Sequence, residues 1–448
     1  MKNTLKILSI GLLLFLSSCE KMLDQQPISQ IGENGFYTNS TELEVAVVGI
    51  YDALQKLPLR EFTMTEMRSD NAQSRLVEGE FGQFVTFNVL PTNSTVSQYW
   101  INAYAVIFRA NTVLANLGVI TNPTLKAQYE GEAKFARALT YFNMVRLFGD
   151  VPLIDKIIRQ TDEDYFQKKS ASDIYTLINA DLTDAIAGLP AKGKLAIGRA
   201  TPNAAKAILA KVKLTQGQYA EAKTLLDQII ASNEYSLSAE FNDVFYKEQG
   251  PEIIFAIQYI NDNALESQDF STEFTTAGRG SGLNYASADL TAAFANETKR
   301  KATTFNPANA LQVGKFITSS KSATLCGNDW IVIRYADVLL MQAEAIMGAT
   351  TTTTDATALA AVNAVRKRAA MPALTTLSKD QLLLERRLEF AFENQRLFDL
   401  LRFGIAKKVL TDYAASLKLT FTDKALILPI PQREIDTSKG KLTQNAGY

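Results

Sequence analysis

The stretch EAKFARALTYFNMVRLFGDVPL, residues 132–153, decides how the rest of the chain is read. Phe135, Leu139, Phe142 and Val145 recur at the three- and four-residue spacing of one helix face. That spacing predicts an amphipathic helix with an apolar stripe. Gly149 stands where a helix end favours a residue tolerant of positive φ, and Pro152 keeps the helix from resuming. Arg137 and Arg146 are placed to hold the loop that follows. The block reads as structural.

Outward from it, the same periodicity predicts helices at 42–56, 97–117, 125–148, 172–188, 202–216, 219–231, 333–347, 356–369 and 379–402. Ala and Leu, both strong helix formers, are abundant in most of them. Residues 202–231 form a hairpin in which Gly217, Tyr219 and Ala222 reproduce the G-x-Y-x-x-A turn of a tetratricopeptide repeat. The Gly loosens the turn, the Tyr fills the groove between helices, and the small Ala lets them approach. A second pair, 333–347 and 356–369, carries Ala336, Ala343 and Ala345 on one helix and Ala360, Ala361 and Ala364 on the next. Stretches 82–95 and 250–330 are richer in Gly, Ser, Thr and Asn. Ile253, Phe255, Ile257 and Tyr259 alternate with period two, which predicts a strand. Short strands are also expected at Lys315 to Thr318 and at Leu426 to Ile430. The expected fold is mainly α: a tetratricopeptide-like helical-repeat scaffold with irregular loop insertions and a few short strands.

The first residues predict where the chain resides. Lys2 and Lys6 precede an apolar run from Ile7 to Leu16. That run is about half the ~20 residues a membrane-crossing helix needs, so it predicts a secretory signal. It leads into Leu16-Ser17-Ser18-Cys19, which resembles the lipobox of bacterial lipoproteins. The expectation is a signal peptide at 1–18, a lipid on the Cys19 thiol and a tether over 19–40. Acyl chains contribute about 0.8 kcal/mol per buried CH₂, so two or more of them hold a protein on a membrane durably. Beyond the tether, parts 41–240 and 241–448 are expected to pack into one body.

Composition narrows the chemistry. Lys and Arg number 46 against 47 Asp and Glu, with no basic stripe, which argues against nucleic acid as a partner. The chain has no His, which removes His-ligated zinc and every triad that uses His as base. With Cys19 acylated, only Cys326 remains, so no intrachain disulfide is expected. Neither metal nor cofactor is implied. Carboxylate chemistry stays open at Glu385, Glu389 and Glu393, spaced one helical turn apart. Such a pair suits a glycosidase acid and nucleophile. However, Arg386, Arg387, Arg396 and Arg402 surround these carboxylates and would keep them ionised, whereas a general acid needs the opposite shift. The spacings Glu393/Arg396 and Asp399/Arg402 suit ion pairs on a helix surface. Gly278-Arg279-Gly280-Ser281-Gly282 lacks the preceding strand of a phosphate loop and reads as shaping a loop. Trp100 and Trp330 read as core. Candidate ligand contacts are Asp70, Asn71 and Arg75 in one polar loop, and Asn284 and Tyr285 after the Gly-rich one.

Several blocks, in order, resemble the SusD/RagB family of outer-membrane lipoproteins of Bacteroidota. They are Leu23-Asp24 with Pro27, Phe36-Tyr37 and Gly49 to Asp52; Trp100, Tyr104, Ile107 and Ala110-Asn111; the opening block 132–153; Arg334 to Leu340 with Glu344-Ala345; Glu385 to Phe390 with Asn394 to Leu400; and Leu428 to Pro431 with Gln444 to Tyr448. Ala446 stands where the family usually ends with Pro. The resemblance implies a non-catalytic protein that binds a nutrient, usually a glycan, at the cell surface. It further implies delivery to a SusC-like TonB-dependent outer-membrane transporter. Two other readings stay open on the residues alone: a carboxylate-only surface glycoside hydrolase, and a helical-repeat adaptor that binds proteins.

Overall fold

The computed structural model describes residues 37–448 apart from 75–76, 160 and 276–281. Helix α1, Ser40–Leu54, is followed by α2, Ser94–Asn116, and α3, Pro123–Phe148. Next come α4, Ala171–Gly188, α5, Pro202–Thr215, and α6, Tyr219–Ala231. Past the irregular segment lie α7, Tyr335–Met347, and α8, Ala356–Arg368. The chain closes with α9, Lys379–Phe390, α10, Arg396–Arg402, and α11, Ala406–Ser416. Apart from 379–402, the predicted helices are present with small shifts at their ends. Many starts are set by side-chain caps: Asn39, Asn93, Asn122 and Asp355 each accept backbone N–H bonds from the first turn.

Successive helices from α2 to α6 pack each on the next. The stack then skips about a hundred residues in sequence and resumes, because α7 packs on α6 and α8 on α7. Residues 232–334 are therefore an insertion into a helical array. Gly217 lies at φ +72° in the α5–α6 turn, as its place in the repeat-like motif predicts. Across the resumed junction, Gly348, at φ +57°, lies beside the Tyr219 ring. The main hydrophobic core runs from Leu43 to Leu442 and includes Phe135 and Phe142, Trp100 and Trp330.

Helix α3 departs from the amphipathic expectation. Its stripe is buried, but so are Ala133, Ala136, Tyr141, Met144, Leu147 and Phe148 on its other faces. The cause is position: α1, α2, α4 and α5 all pack on it, and Phe135 meets Phe255 edge-on at 4.9 Å between centroids. The helix ends at Gly149, at φ +71°. Arg137 does hold the following loop, donating to Asp155 O at 2.8 Å. Arg146 does not. Its guanidinium is sandwiched at 3.8 Å from the centroids of both Phe142 and Phe398.

Other expectations are corrected. The expected helix 379–402 is broken between α9 and α10, where Phe392 and Asn394 adopt φ of +64° and +59°. The expected helix 333–347 begins at Tyr335, because residues up to Arg334 belong to a strand. The alternating segment is strand β2, Ile253–Ile257, and it pairs antiparallel with β4, Trp330–Arg334, so the two ends of the insertion are joined. Two shorter strands, β1, Ala72–Gln73, and β3, Tyr285–Ala286, also pair. Neither Lys315 to Thr318 nor Leu426 to Ile430 forms a strand. Helices Pro58–Met64 and Gly79–Val85 occupy stretches with no helix expected. Both are seven residues long, too short for periodicity to declare.

Candidate functional site

Cys19, Arg75 and residues 278–281 lie outside the described residues. The other four predicted ligand contacts are brought together across more than two hundred positions. β1 and β3 pair Gln73 with Tyr285, and Ser287 donates from its N–H to Asn71 O at 2.9 Å and from its hydroxyl to Asp70 O at 2.7 Å. They do not lie in exposed loops, however. Asp70, Asn71, Asn284 and Tyr285 are all buried. Arg396 grips both oxygens of Asp70 at 2.7 Å, and Arg387 donates to Asn71 Oδ1 at 2.8 Å. Burial opposes the charge of Asp70, but these two guanidinium groups hold its carboxyl below the usual range. The polar composition that suggested a solvated loop belongs to an internal junction with the C-terminal helices.

The carboxylates of α9 are also internal. Arg334 bonds Glu252 at 2.6 Å, Glu389 at 2.6 Å and Glu393 at 2.8 Å. Arg300 bonds Glu297, Glu385 and Glu389, and Lys315 bonds Glu393 at 2.7 Å. Burial would raise the Glu389 carboxyl, but Arg368, Arg334 and Arg300 together hold it far below the ordinary value. A glycosidase acid needs a raised pKa and access to substrate, and this group has neither. Of the two pairs expected on a helix surface only one forms, and it is buried. Asp399 meets Arg402 at 2.9 Å, whereas Glu393 and Arg396 each pair elsewhere.

The open polar surface lies where the insertion meets the scaffold. Helix Pro58–Met64, one face of α2 and residues 267–269 and 324 line a groove of about 390 Å³. Arg60 reaches across it and holds Asp269 through two parallel bonds of 2.7 Å. Although burial disfavours the Arg60 charge, these bonds raise its pKa further, so the fork is permanently ionised. Gln98 Nε2 donates to Asn102 Oδ1 at 2.9 Å, one turn along α2. Leu59 supplies a half-buried apolar ledge beside them. Such a surface offers planar amide and guanidinium groups with spare donors and acceptors, next to an apolar face. Hydroxyl-rich ligands are recognised in this way.

A second trough of about 540 Å³ lies beyond the shared wall. In that wall Gln55 Nε2 meets Glu266 at 2.8 Å and Lys56 Nζ meets Leu265 O at 3.3 Å. Tyr51 and Arg199 line the trough, and exposed Val48, Ile197 and Ile260 rim it. None of these residues was a candidate in the sequence. Arg60 and Asp269 are 209 positions apart, and only the one-turn spacing of Gln98 and Asn102 offered any signal. Among the described residues there is no cluster of side chains fit to hold a metal ion.

Comparison with known proteins adds to this geometry. Residues 231–448 match the model described as the SusD family. Residues 21–214 match the model described as starch-binding associating with outer membrane. SusD-like protein P2 of Formosa agariphila is 28% identical, over 99% of this chain and 99% of its own. A solved laminarin-binding SusD-like protein is 26% identical, with a TM-score of 0.79 over 92% of this chain and all of that one. Surface glycan-binding protein A of Bacteroides thetaiotaomicron, solved with laminarihexaose, is 24% identical and shares the fold at a TM-score of 0.79.

Proposed function

The chain belongs to the SusD family, whose glycan-binding members are not catalysts, and from that premise we propose that it captures a glycan in the groove around Arg60 and leaves it uncleaved. The observation that carries this reading is the open array of Arg60, Asp269, Gln98 and Asn102. The amides and the ionic fork read hydroxyls, while Leu59 accepts a C–H face. The laminarin-binding relative names a first ligand to try.

The proposal includes the location. Lipid on Cys19 holds the protein at the outer membrane, facing outward, and a SusC-like TonB-dependent transporter receives the ligand. No helix among the described residues is long and apolar enough to cross a membrane. The family model that names the outer membrane supports this placement.

The test is affinity electrophoresis in gels containing laminarin, followed by calorimetric titration with the best-retarded glycan from a wider panel. Replacing Gln98 and Asn102 together by Ala removes two neutral hydrogen bonds of about 1 kcal/mol each, so affinity falls roughly tenfold to thirtyfold. Thermal stability stays within about 1 °C, because both groups lie at the surface. Unchanged affinity for every retarded glycan would remove the groove from the reading. Cys19→Ser is expected to release the protein from membranes, and a variant that stays bound and acylated would refute the anchor.

A further inference from the structure

On another face of α2 lies a cavity of about 440 Å³ that the groove does not use. Trp100 forms its deep end, with Tyr104 and Phe166, both half-buried, as walls. The rings are fixed. Trp100 and Tyr104 sit 5.1 Å apart between centroids, Trp100 meets Phe148 edge-on, and the Tyr104 hydroxyl donates to Pro152 O at 2.8 Å. The remaining wall comes from the C-terminal segment, with Glu434, Thr437, Ser438 and Lys439.

Most of the polar groups there are already committed. The Thr437 and Ser438 hydroxyls donate to Arg433 O at 2.9 Å and Ile435 O at 2.7 Å. Lys439 closes the rim in an ion pair with Glu163 at 3.0 Å. The Glu434 carboxylate is different: it is half-buried, faces the cavity and accepts no hydrogen bond or ion pair among the described residues. Burial pushes its carboxyl up, as expected for an acceptor without a donor. The cavity therefore offers flat apolar faces and one free acceptor. An anionic ligand would meet the uncompensated Glu434 charge, offset only by the Lys439 ammonium, which is already paired with Glu163 at the solvent. A ring with one apolar face and outward hydroxyls satisfies both features at once.

We propose that this cavity is a second sugar-binding site, separate from the Arg60 groove, that seats a single pyranose against Tyr104 and Phe166 with its hydroxyls donating to Glu434. The ligand class rests on the glycan reading above, but the residues are independent of it. Two ring walls facing a single free acceptor suit one sugar ring. With a single polar anchor the site is weak, with dissociation constants in the millimolar range. It would add avidity once the groove holds the same polymer.

The chain has two Trp, so Trp330→Phe leaves Trp100 as the sole indole reporter. In that background, the full chain is titrated with methyl glycosides of glucose, galactose and mannose while indole emission is followed. The expected result is a saturable change with at least one of them. Glu434→Ala should abolish it, and the isosteric Glu434→Gln should weaken it at least threefold. Arg60→Ala should leave it intact. A response absent from all three sugars, or retained in full by Glu434→Ala, overturns the proposal. Saturation by tetramethylammonium chloride in place of sugar overturns it as well, because it makes the site a cation cage. Loss of laminarin retention in the groove variants is read separately, so failure of either site is distinguishable from failure of the other.

Discussion

In the helical stack, α3 is enclosed by its neighbours through Phe135, Leu139, Phe142 and other apolar side chains. In the junction that the insertion makes with α9, buried ion pairs are added to the apolar packing of residues such as Phe255 and Trp330. Arg300 and Lys315 leave the insertion to meet Glu385, Glu389 and Glu393, and Arg334 joins Glu252 to the same group. The difference follows from periodicity. A regular helix presents a continuous stripe, and burying it contributes about 25 cal/mol per Å² of apolar surface without any particular geometry. An irregular segment has no stripe, so directional groups at chosen points supplement its buried aromatics in fixing its position. Buried charges set this geometry at a high desolvation cost, so each one depends on all its partners.

The largest expected effect tests that dependence. Arg334→Met leaves Glu252, Glu389 and Glu393 short of a shared cation. Removing one member of a buried ionic group costs about 3–5 kcal/mol, measured by urea unfolding. Because the cluster is buried, 1 M salt should change that loss little; a loss that salt largely cancels would contradict burial. In the stack, Leu139→Ala should cost about 3 kcal/mol through the cavity it leaves. A loss below about 1 kcal/mol would show the array to be looser than its packing.

The next effect depends on pH. Glu61 and Glu66 are buried, and burial pushes both carboxyls up to about 7. In the unfolded chain such groups titrate near ~4.3. Between those values the folded protein holds protons that the unfolded chain has released, so stability falls as pH rises. Their contribution is complete below about pH 4 and is lost through about pH 7. Glu61→Gln carries no titrating group, so its melting temperature should fall less between about pH 5 and pH 7.5, by the equivalent of roughly 2 kcal/mol. An unchanged pH slope would show Glu61 to be ionised throughout. Asp70 and Glu389, whose carboxyls are held low by Arg side chains, act in the opposite sense and only at strongly acid pH. The smallest effect is a helix cap: Asn122→Ala removes the acceptor for Thr124 and Leu125 N–H, and should cost about 1 kcal/mol in the same urea assay.

The junction at Asp70 shows where reading the chain alone goes astray. Asp70 and Asn71 read as candidate ligand contacts in one polar loop, and Asn284 and Tyr285 as candidates in another; the fold brings the two segments together and buries them. Composition could not say whether polar residues face water or Arg396 and Arg387, since the partners lie more than three hundred positions away. The break between α9 and α10 escaped notice for a related reason. Phe392 and Asn394 carry no glycine to announce positive φ, and neighbouring packing imposes it.

Local order was therefore written into the chain: helix positions, the Gly149 and Gly217 turns, the β2 alternation and the ordered family blocks all depend on residues a few positions apart. Tertiary structure alone decided that α7 resumes the stack on α6, that the α9 carboxylates are sealed inside, and that Arg60 meets Asp269 across an open groove. Local periodicity sets which face of an element is apolar. Which distant polar group lies opposite it is settled only when the whole chain closes and every buried charge must find a partner.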